Sequence, residues 1–241
     1  MTIQRRDSRL PAKLEVAYRT QGAFLVAYSV NLSRGGIFLE SPTPLPAGTE
    51  VTLRLEIPSA GTIELVGQVA WVRKGSPDGL PDGMGIQLSA LDERYGELID
   101  RMVQHFTGIT VLAMAGSSEG LALLGRYVRS IMSCEILEAT TLAEAETALA
   151  ASPDLVVLDV DRSAELGVQT VEDIKRRGQG GAATPVILLA PDLRSRELGK
   201  LAGADEVLEA PASFAALQAA VIRTLSRPAA VAEDLAEDIE I

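Results

Sequence analysis

Hydrophobic and polar positions follow two different rhythms along the chain, and the change falls near residue 108. Between Thr49 and Pro58 the alternation is strict. Val51, Leu53, Leu55 and Ile57 share one face, and Glu50, Thr52, Arg54 and Glu56 share the other, which predicts a half-buried antiparallel strand. Leu14, Val16 and Tyr18 alternate likewise, and Ala23–Val30, Gly36–Leu39, Thr62–Val72 and Gly85–Leu88 read as further short strands. Turn chemistry separates them: Ser33-Arg34-Gly35-Gly36, Pro46-Ala47-Gly48, and the stretch from Gly75 to Gly83 with Pro77 and Pro81. Many short strands at this spacing predict a small barrel or sandwich. Ser89 and Asp92 then loosely match a capping box. Tyr95, Leu98, Ile99, Met102 and Phe106 recur at helical spacing, so that helix packs one face on the barrel. Gly108 reads as helix stop and domain boundary.

From Ile109 onward, apolar runs alternate with helical segments. Ile109–Met114, Cys134–Leu137, Leu155–Asp161, Val186–Ala190 and Glu206–Leu208 read as strands. Ser117–Met132, the segment capped by Thr141 and Glu144, Val171–Arg177, Leu193–Leu201 and Phe214–Leu225 read as helices. Five such units in about 120 residues predict a flavodoxin-like, doubly wound parallel sheet covered on both faces. The apolar stripe Phe214, Leu217, Val221 and Leu225 is read as core. The expected organisation is therefore an all-β unit over 1–107, an α/β unit over 108–227, and an acidic flexible tail over 228–241.

The composition narrows the chemistry. Hydrophobic residues form 47% of the 241 positions and charged residues 23%, which excludes a rod, collagen or wholesale disorder. Aromatic residues are only 4%, so the cores must be built from Val, Leu, Ile and Ala. The single Cys134 leaves no disulfide framework, and the single His105 leaves no multi-histidine metal site. His105 is read as a helix-end cation and Cys134 as inert core. Trp71, the one tryptophan, is expected to pack inside the barrel, with the ligand border as the other reading. Gly178-Gln179-Gly180-Gly181 has no following Lys-Ser/Thr and reads as a connection, not a P-loop. The start, MTIQRRDSRLP, is not the pattern of a signal peptide, and no apolar run approaches a membrane span, so a cytoplasmic protein is expected.

Net charge is −11 and unevenly spread: residues 1–107 carry 11 basic and 12 acidic side chains, residues 108–241 carry 11 and 21. Such a surface argues against nucleic acid and anionic lipid as partners. Within it, basic residues cluster at the start as Arg5-Arg6-Asp7-Ser8-Arg9, and a polar, glycine-rich turn follows as Asn31-Leu32-Ser33-Arg34-Gly35-Gly36.

In this order and spacing, the two motifs resemble the PilZ domain, whose signature is R-x-x-x-R followed by [D/N]-x-S-x-x-G. Gly67-Gln68-Val69-Ala70-Trp71-Val72 and Gly83-Met84-Gly85-Ile86 also look like PilZ, and the resemblance spans about residues 4 to 105. It implies a six-stranded antiparallel barrel with a trailing helix that binds the bacterial second messenger cyclic di-GMP. The residues then expected at the ligand are Arg5, Arg6, Arg9, Asn31, Ser33, Arg34, Gly35 and Gly36. The chemistry agrees. Guanidinium groups clamp phosphate and meet guanine O6 and N7. Asn31 and Ser33 offer hydrogen bonds, and glycines admit close backbone approach.

The second half resembles the receiver domain of response regulators. The matching stretches are Pro153-Asp154-Leu155-Val156-Val157-Leu158-Asp159, Thr184-Pro185-Val186-Ile187-Leu188-Leu189-Ala190 and Ala202-Gly203-Ala204-Asp205-Glu206-Val207-Leu208-Glu209-Ala210-Pro211. Its chemistry does not carry over. The acidic-pair positions hold Ala115 and Gly116, the Thr/Ser position holds Ala190, and the Lys position holds Ala210. Asp159 is left as a vestigial phosphoacceptor, with Asp161 nearby, and a lone carboxylate is a poor magnesium site. The leading expectation is a non-enzymatic, metal-free cyclic di-GMP effector. It would signal through protein contacts to motility, polarity or polysaccharide output, with a hinge near Gly108. A scaffold that binds no nucleotide and a phosphorylation-controlled regulator are the alternatives, and homodimerisation stays open.

Overall fold

The computed structural model describes residues 12–30, 32, 35–76, 81–89, 93–160, 164–177 and 183–234. In chain order its elements are β1 (Ala12–Ala17), α1 (Gln21–Val30), β2 (Gly36–Glu40), β3 (Glu50–Ile57), β4 (Gly61–Arg73), β5 (Gly83–Leu88) and α2 (Glu93–His105). Then come β6 (Ile109–Ala115), α3 (Ser118–Ile131), β7 (Cys134–Ala139), α4 (Leu142–Leu149), β8 (Leu155–Asp159), α5 (Ala164–Arg177), β9 (Val186–Ala190), α6 (Leu193–Leu201), β10 (Glu206–Glu209), α7 (Phe214–Ser226) and β11 (Ala230–Asp234). They form two compact units. One comprises the described parts of Met1–Gln21, Tyr28–Gln104 and Pro228–Ile241, and the other Gly22–Ala27 with the described parts of His105–Arg227.

The first unit is built on a six-stranded sheet in the order β11-β1-β3-β4-β5-β2. Period-two patterning sets its faces: Val51, Leu53, Leu55 and Ile57 of β3 are buried, as are Leu14 and Val16 of β1. The expected all-antiparallel barrel is corrected to a mixed sheet, because β1 runs parallel to β3. A parallel pair needs a long crossover, and α1 with β2 supplies it. Ile99 and Met102 bury the inner face of α2, and the Tyr95 hydroxyl donates to the Glu64 carbonyl of β4. Of the proposed cap of α2, Asp92 lies outside the described residues, and the Ser89 N–H donates to the Val66 carbonyl of β4 at 2.8 Å.

Three further expectations are corrected. Ala23–Val30 is a helix, not a strand. Its unbroken apolar run fits either element, and Gly22, Ala23, Phe24 and Ala27 are its buried residues. Phe106 does not continue the α2 stripe. The helix ends at His105, and Phe106 packs against the core cluster of the second unit. The segment from 228 is not a featureless tail up to its end. Ala230–Asp234 pairs antiparallel with β1, because the acids stand behind an apolar Ala-Val-Ala run that fits the open edge of that strand.

The second unit is a five-stranded sheet in the order β10-β9-β8-β6-β7. Every pair is parallel, which is the doubly wound order with its reversal at β6 and β8. Both faces are covered. Val111, Ala113 and Ala115 join Leu124 of α3 and Leu217, Val221 and Leu225 of α7 in one core cluster. Leu112 and Met114 join Ala145, Val171 and Ile174 in the other. Thr141 and Glu144 form the expected capping box. The Thr140 N–H, at 2.7 Å, and its hydroxyl hold the Glu144 carboxyl below the usual carboxylate range. Because Leu112 is fully buried in β6, Leu112→Ala is expected to destabilise this unit by about 2–5 kcal/mol. Denaturant unfolding followed by far-UV circular dichroism reads the loss.

Candidate functional site

An irregularity in β4 builds the site. Up to Val69 the odd-numbered residues of β4 face inward, with Val69 opposite Ile86 and both buried. The register then shifts, so that Trp71 rather than Ala70 stands opposite Gly85. One extra residue reverses the faces. Trp71, which unbroken alternation sends to the core, is instead 48% exposed. This corrects the expectation that it packs inside.

Gly85 pairs with Phe38 on its other side, so Phe38, Gly85 and Trp71 form one row across β2, β5 and β4. With no side chain between them, the two rings stack over the glycine at 5.4 Å and 12°. A Cβ on Gly85 would lie 2.2 Å from the Trp71 ring, and one on Gly83 would lie 2.6 Å from Phe38. The Arg73 guanidinium sits 4.3 Å from the Phe38 ring centre, and its Nε donates to the Pro81 carbonyl at 2.7 Å. Cation–π attraction and that bond hold Arg73 against the stack.

This row borders an open groove of about 470 Å³ lined by Gly35, Gly36, Phe38, Trp71 and Gln87 among others. Gly35 takes a left-handed φ of 79° and its N–H donates to the Leu32 carbonyl at 2.9 Å, closing the turn ahead of β2. Two of the expected ligand residues, Gly35 and Gly36, therefore lie in the groove. Arg5, Arg6, Arg9, Asn31, Ser33 and Arg34 lie outside the described residues. Phe38, Arg73 and the exposed Gln87 were not anticipated. The available signal was Gly83-Met84-Gly85, where glycines two apart leave room on one strand face for neighbouring aromatics.

In the second unit, Asp159 ends β8 opposite Ala115 of β6, and the Ala210 N–H donates to the Ala190 carbonyl. The sheet thus gathers Asp159 with the alanines predicted around it at the carboxyl ends of the strands, where doubly wound folds place their sites. Among the described residues no group of three His, Cys, Asp or Glu side chains could hold a metal; Asp161 and Gly178–Gly181 lie outside them. His105 is the last residue of α2. Cys134 opens β7 half-buried, and burial raises its thiol pKa while Arg129 partly offsets it. Of the α7 stripe, Leu217, Val221 and Leu225 are buried, while Phe214 is partly exposed and meets Tyr127 edge-on.

Comparison with known proteins bears on both halves of the chain. The PilZ domain family matches residues 3–105, so the N-terminal half of the chain carries a PilZ domain. PilZ domains are regulatory, not enzymatic. Solved structures similar to about half of the chain include receiver domains. That of a DNA-binding response regulator from Colwellia psychrerythraea 34H is 20% identical, covering 49% of this chain and 99% of its own, with a TM-score of 0.44. The chemotaxis protein CheY4 of Vibrio cholerae is 22% identical over 49% and 99%, with a TM-score of 0.43. A receiver domain protein of Clostridium thermocellum is 23% identical over 49% and 94%, also with a TM-score of 0.43. No curated protein matches the chain.

Two outcomes follow from these sites. Gly85→Ala is expected to push Trp71 off the strand and cost about 1–3 kcal/mol by overpacking. Since Trp71 is the one tryptophan, its emission spectrum reports the displacement directly. Incubation with a small phosphodonor and magnesium is expected to leave the mass unchanged, because Ala115, Gly116, Ala190 and Ala210 stand at the positions where the receiver resemblance expects the acidic pair, the hydroxyl and the lysine that stabilise a phosphoryl group. A stable added phosphate by intact mass spectrometry would overturn this.

Proposed function

We propose that this chain is a cyclic di-GMP effector that binds the nucleotide on its PilZ domain and passes the signal on through protein contacts. The observation that carries the reading is the groove in which Gly35 and Gly36 of the sequence motif meet the exposed Trp71. A guanine is a flat π-surface bearing hydrogen-bonding edges. The Trp71–Phe38 stack offers it a platform, and the Gln87 amide offers a donor and an acceptor beside that platform. The open backbone at Gly36 lets a ligand approach closely. Arg5, Arg6 and Arg9 are assigned to the phosphates, with Asn31, Ser33 and Arg34 completing the contacts. A charged hydrogen bond contributes roughly 1.5–3 kcal/mol net, so a few of them with one stacked base reach micromolar affinity.

The α/β unit, with alanine at its chemical positions, is assigned a docking role instead of a phosphorylated one. The output is motility, polarity or surface polysaccharide, and the site of action is the cytoplasm. Among the described residues no helix is long and apolar enough to cross a membrane.

Titration calorimetry with cyclic di-GMP tests the reading. Arg5→Ala and Arg9→Ala are each expected to weaken binding about ten-fold or more. Trp71→Ala is expected to remove about 1–3 kcal/mol of stacking. Absence of heat and of any Trp71 emission change with the intact chain would replace this reading with that of a nucleotide-free scaffold.

A further inference from the structure

The register shift in β4 puts Arg73 on the same outer face as Trp71, two residues further along the strand. Arg73 stands opposite Gly83, which has no side chain to bar its way toward β2. Its guanidinium lies 4.3 Å from the Phe38 ring centre and 5.9 Å from that of Trp71, and both rings line the groove. The group is held twice: Phe38 takes the cation on its face, and the Pro81 carbonyl accepts from Nε at 2.7 Å. Only the end of the fork is left. Among the described residues, neither Nη atom of Arg73 has a hydrogen-bond partner, and no carboxylate forms an ion pair with it. A half-buried guanidinium fixed at Nε, with its Nη hydrogens unspent, is preorganised to grip an acceptor.

The fork matches two acceptors side by side. Guanine carries such a pair, O6 and N7, whereas adenine shows N7 beside the N6 donor. We infer that Arg73 reads the base: with one guanine of the ligand laid against Trp71, its Nη groups donate to O6 and N7, and an adenine in the same place turns a donor on them. This rests on the nucleotide-binding reading above and adds to it a reason for the base being guanine. Gln87 cannot make the distinction, because its amide presents a donor or an acceptor to either base. The same fork also fits a phosphate. Cyclic di-GMP and cyclic di-AMP share their phosphates and differ in their bases, so comparing them separates the two roles.

The test is calorimetry of the full chain with both nucleotides, on the unaltered protein, Arg73→Lys, Arg73→Ala and Lys74→Gln. Lys74 is the exposed neighbour and controls for the loss of one positive charge. The unaltered chain is expected to prefer cyclic di-GMP by about ten-fold or more. Arg73→Lys keeps the charge without the fork, and is expected to cut that preference about ten-fold by weakening cyclic di-GMP alone. Arg73→Ala is expected to do the same, and Lys74→Gln to leave the preference as it is. Trp71 emission without nucleotide checks that the aromatic row stands in each variant, and Arg73→Lys carries the test if Arg73→Ala disturbs it. Equal losses for both nucleotides overturn the inference and give Arg73 to a phosphate. A preference that survives both Arg73 variants, or that the unaltered chain lacks, also overturns it and leaves nucleotide binding in place. An unaltered chain that binds neither nucleotide removes this inference together with the reading beneath it.

Discussion

The groove depends on one surplus residue in β4. Without the register shift between Val69 and Trp71, period-two geometry would turn Trp71 inward against Ile86 and its neighbours. The outer face would then present Ala70 and Val72. With the shift, Trp71 meets Gly85, and Gly85 accepts it only because it has no Cβ. Phe38, held opposite the same glycine from β2, covers the space from the other side. An aromatic pair over a strand glycine restores the packing that the glycine gives up. The bulge, the glycine and the two rings are therefore one device, and the groove beside Gly35 and Gly36 is its consequence.

The second unit shows how a fold persists when a site is emptied of chemistry. Its stability lies in strands buried on both faces: Val111, Leu112, Val156, Val157, Val186 and Ile187 are fully buried. At the strand ends where the resemblance expects an acid, a hydroxyl and a lysine stand Ala115, Ala190 and Ala210; the first two are buried members of the core clusters, and Ala210 packs against one of them. The architecture thus carries no information about phosphorylation. The side chains at the carboxyl ends of the strands carry it, and they could be read directly from the sequence.

Legibility in the sequence followed the strength of the local signal. Strict alternation in β3, the apolar strands β6, β8 and β9, and the Thr141–Glu144 box each name their element without tertiary help. Three features were hidden because their cause is non-local. The run from Gly22 to Val30 has no decisive period, and its helical form becomes evident only from the residues it buries. β11 exists because β1 has an open edge, a fact absent from residues 230–234 themselves. The outward turn of Trp71 requires knowing which residue of β5 it faces. For the candidate site, the glycine turn was legible as a motif. The aromatic row was not, because its members lie on three strands and touch only across the sheet.

Electrostatics decides whether so acidic a chain can hold a dianion. A total of −11 is a long-range quantity, and at physiological salt its reach falls away over about 8 Å. What the ligand feels is the charge beside it. The described residues that line the groove include no carboxylate: they are glycine, aliphatic and aromatic side chains with one amide, Gln87. The nearest fixed charge described on that row is the Arg73 guanidinium, set against Phe38 and 5.9 Å from the Trp71 ring. Stacking needs no charge, so on the proposed reading the neutral groove takes the base and the phosphates are left to the arginines of the N-terminal sequence. The excess acids belong mainly to residues 108–241.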